Sequence, residues 1–389
     1  MVKLINLTSF KKFIQSGSAG GFLLLAFLVL SLGIANSPLG QPFENLLALE
    51  IGYSSSQVQL KYPILLWIND GLMAIFFLLV GLEIKRELVE GELSSFKQAA
   101  LPVFAAIGGM LVPAAIYALL NGGTLTAKGW GIPMATDIAF AIGILSLLGN
   151  RVPLSLKVFL TALAIVDDLG AILVIAFFYS TEMHPVYLLY AAGVFALLLL
   201  FNRLGVKNIF LYLIPGLFMW YFVHHSGVHA TIAGVLTAVT LPTTPDATES
   251  PLEKLEHALT NPVNFVIMPL FALANTNIRF EAGMLEGLSS NLGMGIVLGL
   301  VIGKPLGITL LSWLSVKLGI SALPPDIKWV QLLGAGLLAG IGFTMSIFVA
   351  LLSFDAPELQ AEAKFSILVA SLLAGVSGYL FLKKMYKSS

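Results

Sequence analysis

The chain has 389 residues, of which 58% are hydrophobic and only 11% are charged. Soluble domains carry roughly 25% charged residues, so this composition excludes a soluble protein and indicates a polytopic membrane protein. The formal net charge is zero, which gives no support for nucleic-acid binding. Cysteine is absent, and this excludes disulfides, thiolate metal sites and a cysteine nucleophile.

Apolar windows of the length that crosses a bilayer recur along the whole chain. A transmembrane helix needs about 20 predominantly apolar residues. The sequence therefore predicts an all-α fold in one integral membrane domain, 1–389, with about twelve spans between residues 18 and 382. The predicted spans lie near 18–36, 64–82, 99–120, 130–149, 154–179, 186–202, 208–223, 227–241, 259–275, 293–316, 330–353 and 364–382.

The basic residues are distributed unevenly among the predicted loops. One alternating set of loops holds most of the 21 lysines and arginines, whereas Lys304 falls inside a span. Cytoplasmic loops are the ones enriched in lysine and arginine, so the pattern predicts an even number of spans with both termini in the cytoplasm.

The first external loop is longer than the others predicted. Its stretch NLLALEIGYSSSQVQL (45–60) partly alternates apolar and polar residues around a Tyr-Ser-Ser-Ser turn. This pattern is typical of a small external β-hairpin, although an irregular loop fits it about as well.

Four ionisable residues lie deep within predicted spans: Asp137, Asp167, Asp168 and Lys304. A charge at the bilayer centre is costly, so such residues usually face a cavity and mark a transport pathway. A buried ion pair that merely joins two helices is the alternative. Three carboxylates against one lysine do not balance, and at least one acid therefore lacks a fixed partner.

Asp167 and Asp168 are neighbours, and neighbours on a helix point about 100° apart. One of them can therefore pair with Lys304 while the other faces water. Carboxylate oxygens suit hard cations, so Na⁺ or Li⁺ is favoured over a soft metal. A proton and a cation would compete for one carboxylate. If the empty, charged site cannot change its access from one side of the membrane to the other, each cation moved one way must be exchanged for protons moved the other way.

Two predicted spans are interrupted by small and polar residues. They carry PMATDIAFAIG (133–143) and LLAGIGFTMSIF (337–348). Such interruptions indicate two discontinuous helices around a binding site, as in inverted-repeat transporters. Asp137 and Lys304 would then offset the partial charges at the half-helix ends. Small residues that only permit close helix packing are the alternative.

Glycines recur every fourth residue beside Lys304. This stripe predicts a close contact between helices, as small residues spaced by four allow in membranes. Its members are Gly295, Gly299, Gly303 and Gly307.

Six segments together resemble the NhaA sodium/proton antiporter family, and the resemblance extends from about residue 15 to 385. They are LLWINDGLMAIFFLLVGLEIKREL (65–88), ATDIAFAIGILSLLG (135–149), TALAIVDDLGAI (161–172), SGVHATIAGV (226–235), IGKPLGI (302–308) and GIGFTMSIF (340–348). This family is itself known for inverted repeats, so that feature of the fold is not independent support.

The resemblance implies an electrogenic, pH-regulated transporter in the bacterial inner membrane that extrudes Na⁺ or Li⁺ in exchange for external protons. It would serve sodium and pH homeostasis, would not be an enzyme, and would need no cofactor. Its partners would be the transported ions, the lipid bilayer and a second copy of the chain, bound through the external hairpin, with no nucleic acid.

The resemblance also implies roles for particular residues. Asp168 would be the main Na⁺ or Li⁺ ligand, Asp167 would assist it and pair with Lys304, and Thr136 would add an oxygen. Asp137 would compensate the crossing of the two broken helices.

Further positions match residues that the family uses for pH sensing or activity. The pH-sensing cluster and a histidine linked to the pH response are Glu83, Arg86, Glu87, Glu256, His257 and His229. Asp70 is a further buried polar position implicated in activity. Without the resemblance, Glu83, Arg86 and Glu87 read as ordinary helix-end charges, and His229 as a hydrogen-bonded core residue. His224 and His225 receive no role.

Three other classes of protein fit the sequence less well than an antiporter. A channel would need charged rings or a carbonyl filter, and no such segment appears. A sodium-coupled solute symporter would need a roomy site with aromatic or paired polar anchors, whereas the interrupted spans carry only small groups. An intramembrane enzyme or a scaffold lacks its signatures or leaves the buried acids unexplained. The symporter is the main alternative.

Overall fold

The computed structural model describes residues 19–56, 58–180, 182–243, 249–281 and 283–387. Helices dominate this part of the chain. They are α1 (Ala19–Ala35), α2 (Gly40–Ala48), α3 (Ile64–Val89), α4 (Phe96–Asn121), α5 (Ile138–Ser146), α6 (Leu154–Phe178), α7 (Pro185–Arg203), α8 (Phe210–His224), α9 (Ile232–Thr240), α10 (Pro251–Asn275), α11 (Met284–Gly287), α12 (Asn291–Lys317), α13 (Trp329–Ala339), α14 (Phe343–Ser353) and α15 (Pro357–Lys387). Short 3₁₀ helices cover Ala127–Met134 and Gly149–Arg151.

The helices confirm a polytopic membrane protein. Within the described residues, eight helical segments are long and apolar enough to cross a membrane. The bent pairs α1–α2 (108°) and α13–α14 (50°) raise this number to ten. The windows near 208–223 and 227–241 hold the shorter α8 and α9, of 15 and 9 residues. Each of the twelve predicted windows therefore contains a helix, while the number of full crossings stays a prediction.

A small β-hairpin follows α2. Strand β1 (Glu50–Ile51) pairs antiparallel with β2 (Tyr62–Pro63), and a bridge joins Ser54 to Gln59. Gly52 has φ +121°, and a Cβ there would lie 1.9 Å from the Leu60 carbonyl oxygen, so the turn into the hairpin requires glycine. The hairpin prediction is confirmed, but its start was wrong: residues 45–48 continue α2.

Two segments near the centre of the bundle are broken, as predicted. The first runs from the 3₁₀ helix Ala127–Met134 through an extended stretch into α5, and the second changes from α13 to α14 at residues 340–342. The first half is a 3₁₀ helix rather than an α-helix. Gly129, Gly131 and Pro133 lie within it, and glycine and proline are the weakest α-helix formers.

The predicted glycine stripe of α12 packs directly on α4. A Cβ on Gly307 would lie 2.0 Å from the Gly108 carbonyl oxygen, and a Cβ on Gly108 would lie 2.1 Å from the Gly307 carbonyl oxygen. The two backbones therefore touch with no space for a side chain. This contact fixes the position of Lys304 along α12 relative to α4, since Lys304 lies less than one turn from Gly307.

Replacing Gly108 with valine should destabilise the protein by about 1–3 kcal/mol or more, because the added atoms meet rigid backbone. The midpoint of thermal unfolding in detergent measures the effect. Gly33→Val is the matched control, since Gly33 is also helical and a Cβ there meets nothing within 4 Å. Equal midpoints for the two variants would contradict the close α4–α12 contact.

Candidate functional site

The two broken segments meet at their breaks and satisfy one another's backbone groups. The Asp137 N–H donates to the Ile341 carbonyl oxygen at 2.7 Å. Thr136 Oγ1 lies 2.9 Å from the Ala339 carbonyl oxygen, at the end of α13, and its single proton serves either this oxygen or Asp167 Oδ2. Ser346 Oγ donates to the Ile132 carbonyl oxygen at 2.8 Å. Groups that a helix end leaves unpaired are thus paired across the crossing.

Asp137 caps two helices at once. Its carboxylate accepts the Phe140 N–H at 3.1 Å in the first turn of α5. The same carboxylate accepts the Thr344 N–H at 3.2 Å and the Thr344 hydroxyl, in the first turn of α14. Helix N-termini carry partial positive charge, so one buried carboxylate compensates both of them. This is the place in which the resemblance puts Asp137.

Lys304 is fully buried and has two anionic or partially negative partners. Its Nζ lies 2.8 Å from Asp167 Oδ2, and neither side chain is accessible. Nζ also donates to the Met134 carbonyl oxygen, at the C-terminal end of the 3₁₀ helix. Lys304 therefore neutralises a carboxylate and the negative end of a half-helix.

Asp168, the second acid of the pair, has no hydrogen-bond or ion-pair partner among the described residues. Asp168 is 4% exposed. Asp167 Oδ1 is also buried without a hydrogen bond, whereas Asp167 Oδ2 accepts from Thr136 Oγ1 at 2.8 Å. The structure thus pairs Asp167 with Lys304, as expected, while cation binding by Asp168 stays a prediction.

This arrangement offers oxygen atoms and no nitrogen or sulfur ligand. In the described part of the chain, no three His, Cys, Asp or Glu side chains gather as a metal site. The available donors are the Asp168 carboxylate, Asp167 Oδ1 and the Thr136 hydroxyl. Such a small, hard set suits a cation that binds transiently as cargo and keeps some of its water.

The cluster around Arg86, near the C-terminal end of α3, is assembled only in part. Arg86 Nε lies 3.1 Å from Glu256 Oε2, and an Arg86 terminal nitrogen lies 3.2 Å from Glu87 Oε1. Glu83 lies one turn before Glu87 on α3, and within the described residues its side chain makes no hydrogen bond or ion pair. His257 is separate from the cluster: its side chain is 68% exposed, and Nδ1 lies 3.0 Å from Glu249 Oε1.

Lys85 is a connecting residue that the sequence analysis missed. Its Nζ donates to the Val239 carbonyl oxygen at 2.7 Å and to the Leu241 carbonyl oxygen at 2.5 Å, and so caps the C-terminal end of α9. A lysine at a span end was visible in the sequence. The carbonyl groups that it binds lie more than 150 positions along the chain.

A further polar cluster centres on Asp70. Its Oδ2 lies 3.1 Å from His224 Nδ1, and its Oδ1 lies 3.8 Å from His229 Nε2. His229 Nδ1 lies 2.9 Å from Thr231 Oγ1, and its ring contacts the Phe348 ring of α14 edge to face at 5.3 Å. Asp70 and His229, which the resemblance links to activity and to the pH response, therefore lie in the same cluster.

His224 belongs to this cluster, although the sequence assigned it no role. Its ring stacks on Trp220, which stacks on Trp67, so the imidazole is held facing Asp70. The Tyr62 ring packs edge-on against it at 5.0 Å. Burial, and then the neighbouring Tyr221 and Asp70, raise the pKa of the Tyr62 phenol above its ordinary value, so this hydroxyl keeps its proton.

Replacing His224 with alanine should cost about 1–3 kcal/mol, because it leaves a largely buried carboxylate with only the more distant His229. The matched control is His257→Ala, which removes an exposed histidine–carboxylate pair of the kind worth about 0–1 kcal/mol. Thermal unfolding in detergent compares the two variants. If they lose equal stability, His224 does not hold Asp70.

An apolar helical bundle, in which two broken helices cross beside incompletely paired buried carboxylates, has the architecture of a secondary transporter for small cations. Residues 11–382 match the family Na+/H+ antiporter 1, and the chain belongs to this family. The resemblance read from the six segments is therefore confirmed.

Named relatives match the chain over nearly its whole length. The Na(+)/H(+) antiporter NhaA 2 of Flavobacterium johnsoniae is 65% identical over 389 residues, covering 100% of this chain and 95% of the relative. The Na(+)/H(+) antiporter NhaA of Flavobacterium psychrophilum is 52% identical over 98% of this chain and 97% of its own. The protein of the same name from Tolumonas auensis is 51% identical over 96% and 94%.

Proposed function

We propose that this chain exchanges Na⁺ or Li⁺ for protons at the carboxylates of Asp167 and Asp168, as one transporter domain. Membership of the family and the names of its relatives support antiport by a membrane protein that is not an enzyme. The observation that carries the assignment to these residues is the unpartnered Asp168 beside the lysine-paired Asp167.

Competition for the same oxygen atoms accounts for exchange. A proton or a cation on Asp168 neutralises a charge that is costly to bury, whereas Lys304, whose charge also acts on the empty carboxylate, is already paired with Asp167. Asp167 Oδ1, which is buried without a hydrogen bond, and Thr136 Oγ1, which lies 2.8 Å from Asp167 Oδ2, are the further oxygen atoms that we assign to the cation. Only the site with a bound proton or a bound cation is then stable enough to change its access from one membrane face to the other. This requirement couples the cation flux to the proton flux.

The crossing supplies the moving part. Residues 135–137 and 340–342 lack a continuous helical ladder, so they can absorb changes in backbone angle that an intact helix resists. The contacts of Asp137 and Lys304 with helix ends depend on the charge at Asp167 and Asp168. A change of occupant therefore alters the forces on the half-helices directly.

The finer features belong to the same proposal. The protein lies in the bacterial inner membrane. The distribution of lysine and arginine supports an orientation with both termini in the cytoplasm. Arg86, Glu87 and Glu256, with Glu83 beside them, form the pH-responsive group, and exchange is electrogenic. The hairpin β1–β2 forms the contact of a homodimer, which its exposed Tyr53 (68%) supports. No resident cofactor takes part.

A sodium-coupled solute symporter is the weaker alternative. Such a protein needs room for an organic substrate next to the cation. Two cavities, of about 490 and 520 Å³, have almost entirely apolar walls. Neither of these two is lined by Asp137, Asp167, Asp168 or Lys304, so neither offers such room beside the candidate cation site.

Transport in inside-out vesicles tests the proposal. Respiration acidifies the interior, and a fluorescent probe reports the pH gradient while Na⁺, Li⁺, K⁺ and choline are added in turn. We expect Na⁺ or Li⁺ to collapse the gradient and choline to leave it unchanged. A response only when an organic solute is added with Na⁺ would favour the symporter, and no response to any cation would overturn antiport.

A further inference from the structure

A lateral groove runs along one membrane-facing side of the bundle, between α1, α5 and α15. It encloses about 520 Å³, and its walls are almost entirely apolar. Leu372 and Val376 of α15 lie in it and are 68% and 50% exposed. We call this feature the lateral groove. An apolar concavity in this position is open to the hydrocarbon of the bilayer.

The lateral groove is long enough to hold a lipid acyl chain. Along α15 it extends from Phe365 to Leu380, which is about 22 Å at 1.5 Å per residue. One leaflet contributes half of the roughly 30 Å hydrocarbon core. The groove is therefore longer than one leaflet is thick, and the acyl chain of a single lipid can lie in it over the full length of the chain.

A cation stands at the end of the lateral groove that the charge distribution assigns to the cytoplasm. Tyr379 forms part of the wall, and Lys383 Nζ lies over the Tyr379 ring, 5.3 Å from its centre. Among the described residues, no carboxylate forms an ion pair with Lys383. Arg151 follows the groove residue Leu147 by four positions. Basic side chains at this level attract anionic headgroups.

The other large groove lacks this feature. It lies between α3, α8 and α9, with Trp67 and Trp220 in its wall. Lys85, the lysine of α3 on the cytoplasmic side, is already engaged by two backbone carbonyl groups. The cation at the mouth therefore distinguishes the lateral groove from an apolar surface that any lipid would wet.

We propose that the lateral groove is a binding site for an anionic phospholipid, with an acyl chain along α15 and the headgroup phosphate at Lys383. The groove also reaches the helix crossing, because Ile341 and Phe343 line it. The Phe343 N–H, in the first turn of α14, donates to Ser371 Oγ of the groove wall at 3.1 Å. A bound chain therefore packs against the start of α14 and supports the crossing.

Lipid titration of the purified full-length protein in detergent tests the proposal without any transport assay, so its failure is distinguishable from failure of the proposed function. Phosphatidylglycerol and phosphatidylcholine with the same acyl chains are added, and native mass spectrometry counts the retained lipids. Thermal unfolding is followed in parallel. We expect phosphatidylglycerol to be retained at least several-fold better and to raise the unfolding midpoint more.

Two variants separate the headgroup from the acyl chain. Lys383→Gln should abolish the preference for phosphatidylglycerol, and Val376→Trp should reduce retention of both lipids by filling the groove. Lys317→Gln is the matched control, since Lys317 Nζ lies over the Trp313 ring at 4.6 Å and Trp313 lines neither of the two grooves described above. This control should keep the preference.

Several outcomes would overturn the proposal. Equal retention of the two lipids by wild type would show that the anionic headgroup is not recognised. An unchanged preference for phosphatidylglycerol in Lys383→Gln would show that Lys383 does not bind the headgroup. Because the chain has no cysteine, Leu372→Cys gives a single thiol in the groove. A disulfide-linked dimer of this variant in membranes would show that a second copy of the chain, and not a lipid, covers the groove.

Discussion

Asp168→Asn is expected to abolish cation-dependent proton movement, down to the background of vesicles without the protein. Asparagine keeps the size of the side chain but carries no negative charge and takes up no proton, so neither ion has a site. The carboxylate has no partner among the described residues, so its loss should disturb folding little. The vesicle assay with Na⁺ and Li⁺ measures the effect, and the amount of inserted protein is compared by immunoblot.

The matched control is Asp326→Asn. Asp326 is a surface carboxylate that accepts a hydrogen bond from Ser155 Oγ at 2.5 Å. This variant should exchange Na⁺ for protons as wild type does. A normal sodium response in inserted Asp168→Asn would move the cation site elsewhere in the protein.

Lys304→Met is expected to destabilise the protein by about 3–5 kcal/mol, because it leaves the carboxylate of Asp167 buried and uncompensated. Adding Asp167→Asn should recover most of this loss, since replacing both members of a buried ion pair with neutral groups of similar size is often nearly neutral. Thermal unfolding in detergent compares wild type, each single variant and the double variant.

An exposed pair calibrates this comparison. Lys61 Nζ lies 3.4 Å from Glu50 Oε2, with both side chains about half exposed. Lys61→Met should therefore cost no more than about 1 kcal/mol. If the double variant stays as unstable as Lys304→Met, the lysine stabilises the fold chiefly through its bond to the Met134 carbonyl oxygen, and the ion pair is secondary.

The central site was predictable because the membrane makes polar residues informative. Each ionisable group within an apolar span carries an energetic cost, so Asp167, Asp168 and Lys304 are conspicuous in the sequence. Their adjacency and the excess of acids over bases were enough to predict one paired and one unpartnered carboxylate. The interruptions around Asp137 likewise predicted that two helices are broken.

Residues outside the spans carried no comparable signal. His224 and His225 have the same type and neighbourhood in the sequence, yet only His224 forms an ion pair with Asp70, because aromatic rings from α3 and α8 hold it there. His257 was grouped with Arg86 by the resemblance, but the structure turns it toward Glu249. Such partners depend on long-range packing, which local sequence patterns do not record.

The double cap at Asp137 has a consequence for leakage. Because one carboxylate serves the N-termini of both α5 and α14, neither half-helix can swing away alone without leaving its own amide groups and its partial charge unmet in a dry interior. States in which one half has opened and the other has not are therefore rarely populated. The half-helices α5 and α14 therefore move together. No stable intermediate exists from which a continuous path for ions across the membrane could form.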